Sequence, residues 1–350
     1  MTNNPQFQRP TLNFRGRKSP LTLTIGILVI LGAVFTAVSG FYADWLWFKS
    51  VNFTSTWSTV LGTKAMLFVV IGLITALFIM FNVLLAYKRR PLYVPMTIEA
   101  DNLERYRSQI EPIRRGVFMA GFLALFYFAG TSGSTLWSTW LLFRNSTEFG
   151  VKDPQFNMDI SFFAFRLPFW QTLIGWGIST LVLSIIASVA VHYLYGGIRL
   201  QVREDRTTVA ARVQLSVLLG LVVLLKAVAY WFDRFALALK DSKLITGLTY
   251  TDVNAVLPAK AILTGIAIVC SLLFFANIVR RSWVLPAAGT ALLVISSVLI
   301  AGLYPAAIQT FQVKPSESAK EAEFIQRNID ATRAAYGLED VTVTDYQATL

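Results

Sequence analysis

The sequence predicts an all-α integral membrane protein, a bundle of seven transmembrane helices, and three observations carry that expectation. Only 15% of the 350 residues are charged and 55% are hydrophobic, whereas a soluble domain carries about 25% charged residues. Seven apolar stretches reach the roughly 20 residues needed to cross a hydrocarbon core of about 30 Å. The segments joining them alternate in their content of Lys and Arg. The formal net charge of +11 would suggest nucleic acid in a soluble chain. Here the charges lie between apolar stretches, so the lipid bilayer is the expected partner and nucleic acid is not.

The first stretch, Leu21–Ala43, follows a polar tail. At about 23 residues it exceeds the 7–15-residue apolar core of a cleavable signal peptide, so a retained span is expected. Ala65–Tyr87, Gly116–Leu142, Pro168–Tyr195, Val213–Phe232, Ala261–Val279 and Ser282–Tyr304 complete the set. Six of the seven contain no Asp, Glu, Lys or Arg, and the fifth contains one, Lys226. The third is too long for a simple crossing, about 40 Å at 1.5 Å per residue. Gly130-Thr131-Ser132-Gly133-Ser134 in its second half offers either a break, with Leu136–Phe143 along the interface, or close helix packing.

Orientation follows from Lys and Arg in alternate segments. Residues 1–20, 88–115, 199–212 and 280–281 hold 17 of them and 6 acids. Residues 44–64, 144–166, 233–260 and 305–350 hold 13 and 14 acids. The N-terminus is therefore expected in the cytoplasm and the C-terminus outside. Three regions result: a cytoplasmic tail (1–20), a transmembrane domain (21–313) and the start of an extracytoplasmic region (314–350).

The loops differ in kind. Residues 88–115 open with Lys88-Arg89-Arg90 and close with Arg114-Arg115, clusters suited to anionic headgroups. Between them Ile98, Leu103, Tyr106 and Ile110 suggest a short amphipathic helix, on the inner surface or packed on the spans. The loops of the other set are aromatic. With the span ends beside them they carry Trp45, Trp47, Phe48, Phe53 and Trp57 after the first span, Trp137 and Trp140 at the end of the third, and Phe162, Phe163, Phe165, Phe169 and Trp170 before and at the start of the fourth, rings that suit headgroup level. Beyond Gln312 the chain turns polar. Glu317–Tyr336 reads as a helix with Phe324, Ile325, Ile329 and Thr332 on one side and Gly337 as its stop.

Three outer segments carry a resemblance. They are Gly150–Pro168 (GVKDPQFNMDISFFAFRLP), Leu248–Val253 with Leu257-Pro258, and Phe324–Ile329 with Thr332–Leu338. The chain resembles uncharacterised protein family 0182, large bacterial membrane proteins. The resemblance implies a seven-span N-terminal membrane region followed by a larger extracytoplasmic domain. The chain stops at Leu350 and is expected to be a piece of such a protein. The resemblance implies no activity, cofactor or catalytic residue.

Few residues offer chemistry. Lys226 lies at membrane depth, where a charge costs a few kcal/mol and points to function or to a buried partner. Tyr230 and Asp233 follow at i+4 and i+7 on the same helical face. Lys226 either snorkels outward or meets Asp233 through water, or else serves a transport or proton path. His192, at the end of the fourth span beside Tyr193 and Tyr195, reads as interfacial packing rather than a proton relay. Asp153, Pro154, Asp159, Tyr250 and Asp252 stand in the motif-bearing outer loops. Asp153, Asp159 and Asp252 with Asn157 suggest either turn and cap hydrogen bonds or oxygen ligands for a hard cation. Cys270 is the one cysteine and reads as a packing residue. The sequence has no phosphate loop, HExxH, Gly-x-Ser-x-Gly or Cys pair. Catalysis and a cofactor are therefore not expected.

Two functions remain. One is an anchor and assembly component holding an extracytoplasmic domain or partner, extracytoplasmic or membrane-bound. The other is a permease or channel using Lys226. A transport path needs polar groups at mid-depth, and by charge only Lys226 stands there.

Overall fold

The computed structural model describes residues 20–91, 98–199, 206–242, 245–280, 284–342 and 344. The N-terminal tail as far as residue 19 lies outside them. The described elements are helices, with three isolated antiparallel bridges in loops. Seven helices among them are long and apolar enough to cross a membrane. The chain divides into two units, Met1–Gly62 and Thr63–Leu350.

In the first unit α1 spans Pro20–Ser50 and outruns the predicted Ala43. It stops at Asn52, whose φ of 60° is left-handed. The amide of Asn52 bonds the Lys49 carbonyl (3.2 Å) and that of Phe53 the Phe48 carbonyl (2.9 Å), which closes the last turn. α2 (Thr54–Lys88) begins at once, well before the predicted Ala65. Phe41 and Trp57 meet edge to face at 4.9 Å across the turn.

The second unit contains the rest of α2 and α3 (Ile98–Ile110), α4 (Arg114–Ser134), α5 (Trp137–Arg144), α6 (Leu167–Leu194), α7 (Val209–Ala236), α8 (Leu257–Arg280), α9 (Val284–Ser296), α10 (Tyr304–Ala307) and α11 (Glu317–Ala335). α7 packs along α6 and α8, and α8 along α9. The predicted third span does both things its sequence allows. It breaks at Thr135 and Leu136, and α5 follows as a separate helix. Its glycines also admit α2: a Cβ on Gly130 would lie 2.8 Å from the Phe68 carbonyl oxygen, and one on Gly72 would lie 2.6 Å from that of Phe126. α3 packs on the end of α6 through Arg107, which bonds the Leu194 carbonyl and sits over the Tyr195 ring. Leu103 and Ile110 are half-buried, Tyr106 is exposed, and the side chain of Ile98 lies outside the described set. Arg90 and Arg114, from opposite ends of that loop, converge on Glu111, which also accepts from the Tyr87 hydroxyl (2.8 Å).

Prolines shape the helix starts. Four segments wind as π-helix: Phe162–Arg166, Asp252–Val256, Ser297–Leu303 and Ile308–Val313. Each is followed by one residue and then a proline: Pro168, Pro258, Pro305 and Pro315. A proline ring clashes with the carbonyl four residues back and offers no N–H. Widening the preceding turn to i→i+5 bonding relieves the clash and keeps the chain helical. Helical segments therefore follow one another from Val284 to Ala335, through the predicted end of the seventh span at Tyr304.

Between the helices of the second unit runs a line of buried, uncharged polar groups. The Gln214 amide on α7 donates to the Asn82 carbonyl on α2 (2.9 Å) and to the Ser188 hydroxyl on α6 (3.2 Å). Its oxygen pairs with His192 Nε2 at 3.0 Å. Asn277 on α8 donates to Ser216 (2.7 Å), and Ser271 to the Gly220 carbonyl (2.9 Å). Trp176 reaches Thr75 at 3.0 Å. His192 is 1% exposed, enclosed where the chain folds back over it at Gly197, where a Cβ would stand 2.7 Å from Nδ1. Counting charges alone passes over these Asn, Gln and Ser groups between the helices.

Two stability outcomes follow from this packing. Gly72→Ala and Gly130→Ala each lower stability by about 1–3 kcal/mol. Gly265→Ala, with open space around its Cα, is neutral or stabilising by up to about 1 kcal/mol. Gln214→Leu costs about 1–3 kcal/mol by stranding its buried partners. Thermal unfolding in detergent measures all four; equal midpoints for the three glycine variants would refute the close packing of α2 on α4.

Candidate functional site

The three segments singled out in the sequence are distant in the chain, and they meet. Gly150, with φ 77°, turns the chain into a tight loop. The backbones of Lys152 and Asp159 pair in an isolated antiparallel bridge, and the Asp153 amide bonds the Met158 carbonyl at 2.8 Å. Asp153 and Pro154 build the turn: the carboxylate accepts the amides of Gln155 (2.9 Å) and Phe156 (2.7 Å). Asn157, with φ 52°, completes it. Asp159 accepts the amides of Phe149 (3.1 Å), Gly150 (2.9 Å) and Ser161 (2.8 Å). The Ser161 hydroxyl and amide, with the amides of Phe149 and Gly150, hold its carboxyl below the usual 3.8, at about 2. Of the two roles the sequence leaves open for these acids, the geometry displays turn and cap bonding.

Aromatic rings fasten this loop to the helices. Phe156 and Phe162 lie 5.1 and 5.4 Å from Phe235 at the end of α7, and Phe143 on α5 stacks on Phe169 at 3.9 Å.

The second segment opens α8. Asp252 is 1% exposed. It accepts two contacts from Lys240 Nζ (2.8 and 3.1 Å), the Thr249 hydroxyl (2.8 Å) and the Thr249 amide (3.2 Å). A carboxylate buried to this degree is stable only when so paired. Next to it the Tyr250 amide donates to both oxygens of Glu321 (3.2 and 3.0 Å). The Tyr250 ring lies under Lys320 Nζ at 4.8 Å.

The third segment is α11, laid across both loops. Phe324 is buried, Arg327 donates to the Gln155 side chain (3.2 Å), and Asn328 donates to the Thr246 carbonyl (2.9 Å). Asp153, Pro154, Gly247, Phe324, Arg327 and Asn328 line a cavity of about 190 Å³ between them. The helix stops where Gly337 predicts: its φ is 64°, and the Leu338 amide bonds the Arg333 carbonyl at 2.8 Å. The side of the helix that groups Phe324, Ile325, Ile329 and Thr332 is only partly buried. Phe324 and Ile325 turn inward, but Ile329 is 40% exposed and Thr332 is exposed. Glu321 takes the inward position one turn before Phe324, because the Tyr250 amide needs an acceptor there.

Lys226, Tyr230 and Asp233 do not form one cluster. Lys226 is half-buried with its Nζ 4.8 Å from the centre of the Tyr230 ring. Asp233 pairs instead with Lys260 of α8 at 3.3 Å. Sequence reading missed Lys240, Lys260, Gln309 and Glu321. Among these Glu321 left a trace, an acid on the face that Phe324 defines.

Two measurements test this geometry. Asp252→Asn, which removes the buried charge and leaves a half-exposed Lys240 without its anion, lowers stability by about 1–3 kcal/mol; thermal unfolding of the variant reports it, and an unchanged midpoint would remove the pair from the structural account. The Asp159 carboxyl, depressed in the folded chain, contributes its loop bonding fully above its ordinary value and loses it as pH falls through about 2. Carbon NMR of its carboxyl should show a midpoint near 2, and a midpoint near 3.8 would contradict the bonding described.

The model of the uncharacterised protein family UPF0182 matches residues 21–350. A UPF0182 protein of Streptomyces coelicolor is 48% identical over 335 residues, covering 94% of this chain and 34% of the relative. One from Frankia casuarinae is 45% identical over 341 residues, covering 97% and 33%, and one from Rhodococcus erythropolis is 42% identical over 337, covering 94% and 34%. The chain thus spans about a third of the length of these curated relatives. No solved structure matches it. With the family model covering all but its first residues, the chain belongs to the uncharacterised protein family UPF0182.

Proposed function

We propose that the chain is a membrane anchor and assembly platform. In this reading its seven apolar helices cross a bacterial plasma membrane with the N-terminus in the cytoplasm and α11 outside. The face built by α11 and the loops at residues 149–161 and 240–252 then carries an extracytoplasmic domain or partner. The observation that supports it most is the fastening of α11 to both loops through Glu321, Arg327 and Asn328. A helix held at several points fixes the position of whatever is attached to it. The uneven division of Lys and Arg supports the orientation, and the greater length of the relatives supports an additional domain.

A second reading, a permease or channel, rests on Lys226. Among the described residues this ammonium faces a tyrosine ring and forms no ion pair, so it has charge to offer an anion or a coupling proton.

The platform reading predicts that the complete gene product, purified in mild detergent from its native membrane, brings a stoichiometric partner, and that Lys226→Met leaves growth and abundance unchanged. Solitary purification together with a flux lost in Lys226→Met at normal abundance would replace it with the transport reading. Orientation is read separately. Because Cys270 is buried, Thr332→Cys should react with an impermeant maleimide on intact cells and Ser108→Cys should not; the reverse pattern would invert the topology.

A further inference from the structure

The two buried carboxylates beside Tyr250 are unequally satisfied. Asp252, 1% exposed, has an ammonium, a hydroxyl and an amide on its oxygens. Glu321, 4% exposed, has one backbone amide shared between both oxygens, and it forms no ion pair among the described residues. An ionised carboxylate has about four lone-pair directions. Burying it with a single neutral donor costs several kcal/mol unless a cation completes its shell.

Among the described residues, no other donor reaches Glu321. It lines a cleft of about 350 Å³ with Glu317, Gln309, Thr249, Ser242 and Ile325. That volume is at the lower end of the roughly 300–1,000 Å³ typical of small-molecule sites. Lys240 stands at the same cleft, but its ammonium is already committed to Asp252. Glu317 is exposed at the rim, one helical turn before Glu321, and adds a second negative charge on the same face of α11. Thr249 and Ser242 supply hydroxyl oxygens, and Ile325 supplies an apolar wall. No group of three or more acid, His or Cys side chains suited to a metal occurs among the described residues. The donor set instead matches an organic ammonium: three N–H bonds for oxygens and a short carbon chain for the isoleucine.

We propose that this cleft binds a primary ammonium, with Glu321 as its buried counter-ion and Glu317 as a second contact at the rim. The cleft lies on the face that the platform reading assigns to a partner, but its test does not require any partner protein.

The ammonium has two sources, a soluble amine or the ethanolamine headgroup of a lipid, and the experiment separates them. The full chain in detergent is titrated calorimetrically with ethanolamine, against sodium chloride at equal ionic strength. In parallel, thermal stability is compared in nanodiscs of phosphatidylethanolamine and of phosphatidylcholine. Saturable ethanolamine binding that Glu321→Gln weakens about 10–100-fold assigns a soluble amine. Stabilisation by phosphatidylethanolamine alone, lost in Glu321→Gln, assigns the headgroup. Should Glu321→Gln not fold, Glu317→Gln decides the matter with a weakening of up to about fivefold. No response to either probe, or a response unchanged in every folded variant, overturns the proposal.

Discussion

The Gln214 side chain joins three helices with one amide, and much of the second unit depends on bonds of this kind. For helices that cross a membrane, as proposed for this chain, leucine against leucine gains little over leucine against lipid. Packing must then come from close backbone approach and from polar groups that find one another. Both occur here in different places. α2 and α4 touch through Gly72 and Gly130, while α2, α6 and α7 share Gln214, Asn82, Ser188 and His192. The glycines give proximity, and the amide gives register, since its donors and acceptors are met in only one rotational setting of the helices.

At the end that carries α11, charge takes over from neutral polarity. Lys240 with Asp252, Lys260 with Asp233 and Tyr250 with Glu321 fasten loop to helix where α7 ends and α8 begins. The uncharged bonds run between the helices, and the two ion pairs and the Glu321 carboxylate gather at their ends, as the cost of desolvating an ion would arrange them. Lys226 is the exception to that ordering, and its contact with Tyr230 turns the ammonium toward the charged end rather than the middle.

The sequence announces the helices because long apolar runs have few alternative structures, and it announces the stop at Gly337 because a left-handed residue is needed there. It also marks Asp153 and Asp159, whose spacing to the following amides is local. What it hides is everything settled by a distant neighbour. Ile329 and Glu321 lie on one amphipathic helix, and periodicity favours burying the isoleucine. The lone amide of Tyr250, 71 residues away in the chain, reverses the choice. His192 is similar: nothing beside it in the chain names Gln214 or the turn at Gly197, which enclose it. Lys240 and Asp252 are separated by a loop whose length says nothing of their pairing.

The prolines after the π-turns have a mechanical side. From Val284 to Ala335 no loop interrupts the helical path, so a load on α11 can reach α9, and then α8 against which α9 packs, only through three irregular joints. Two are the widened turns at Ser297–Leu303 and Ile308–Val313, and the third is the 3₁₀ turn Lys314–Ser316, where Ser316 leaves helical geometry (φ −140°, ψ 45°).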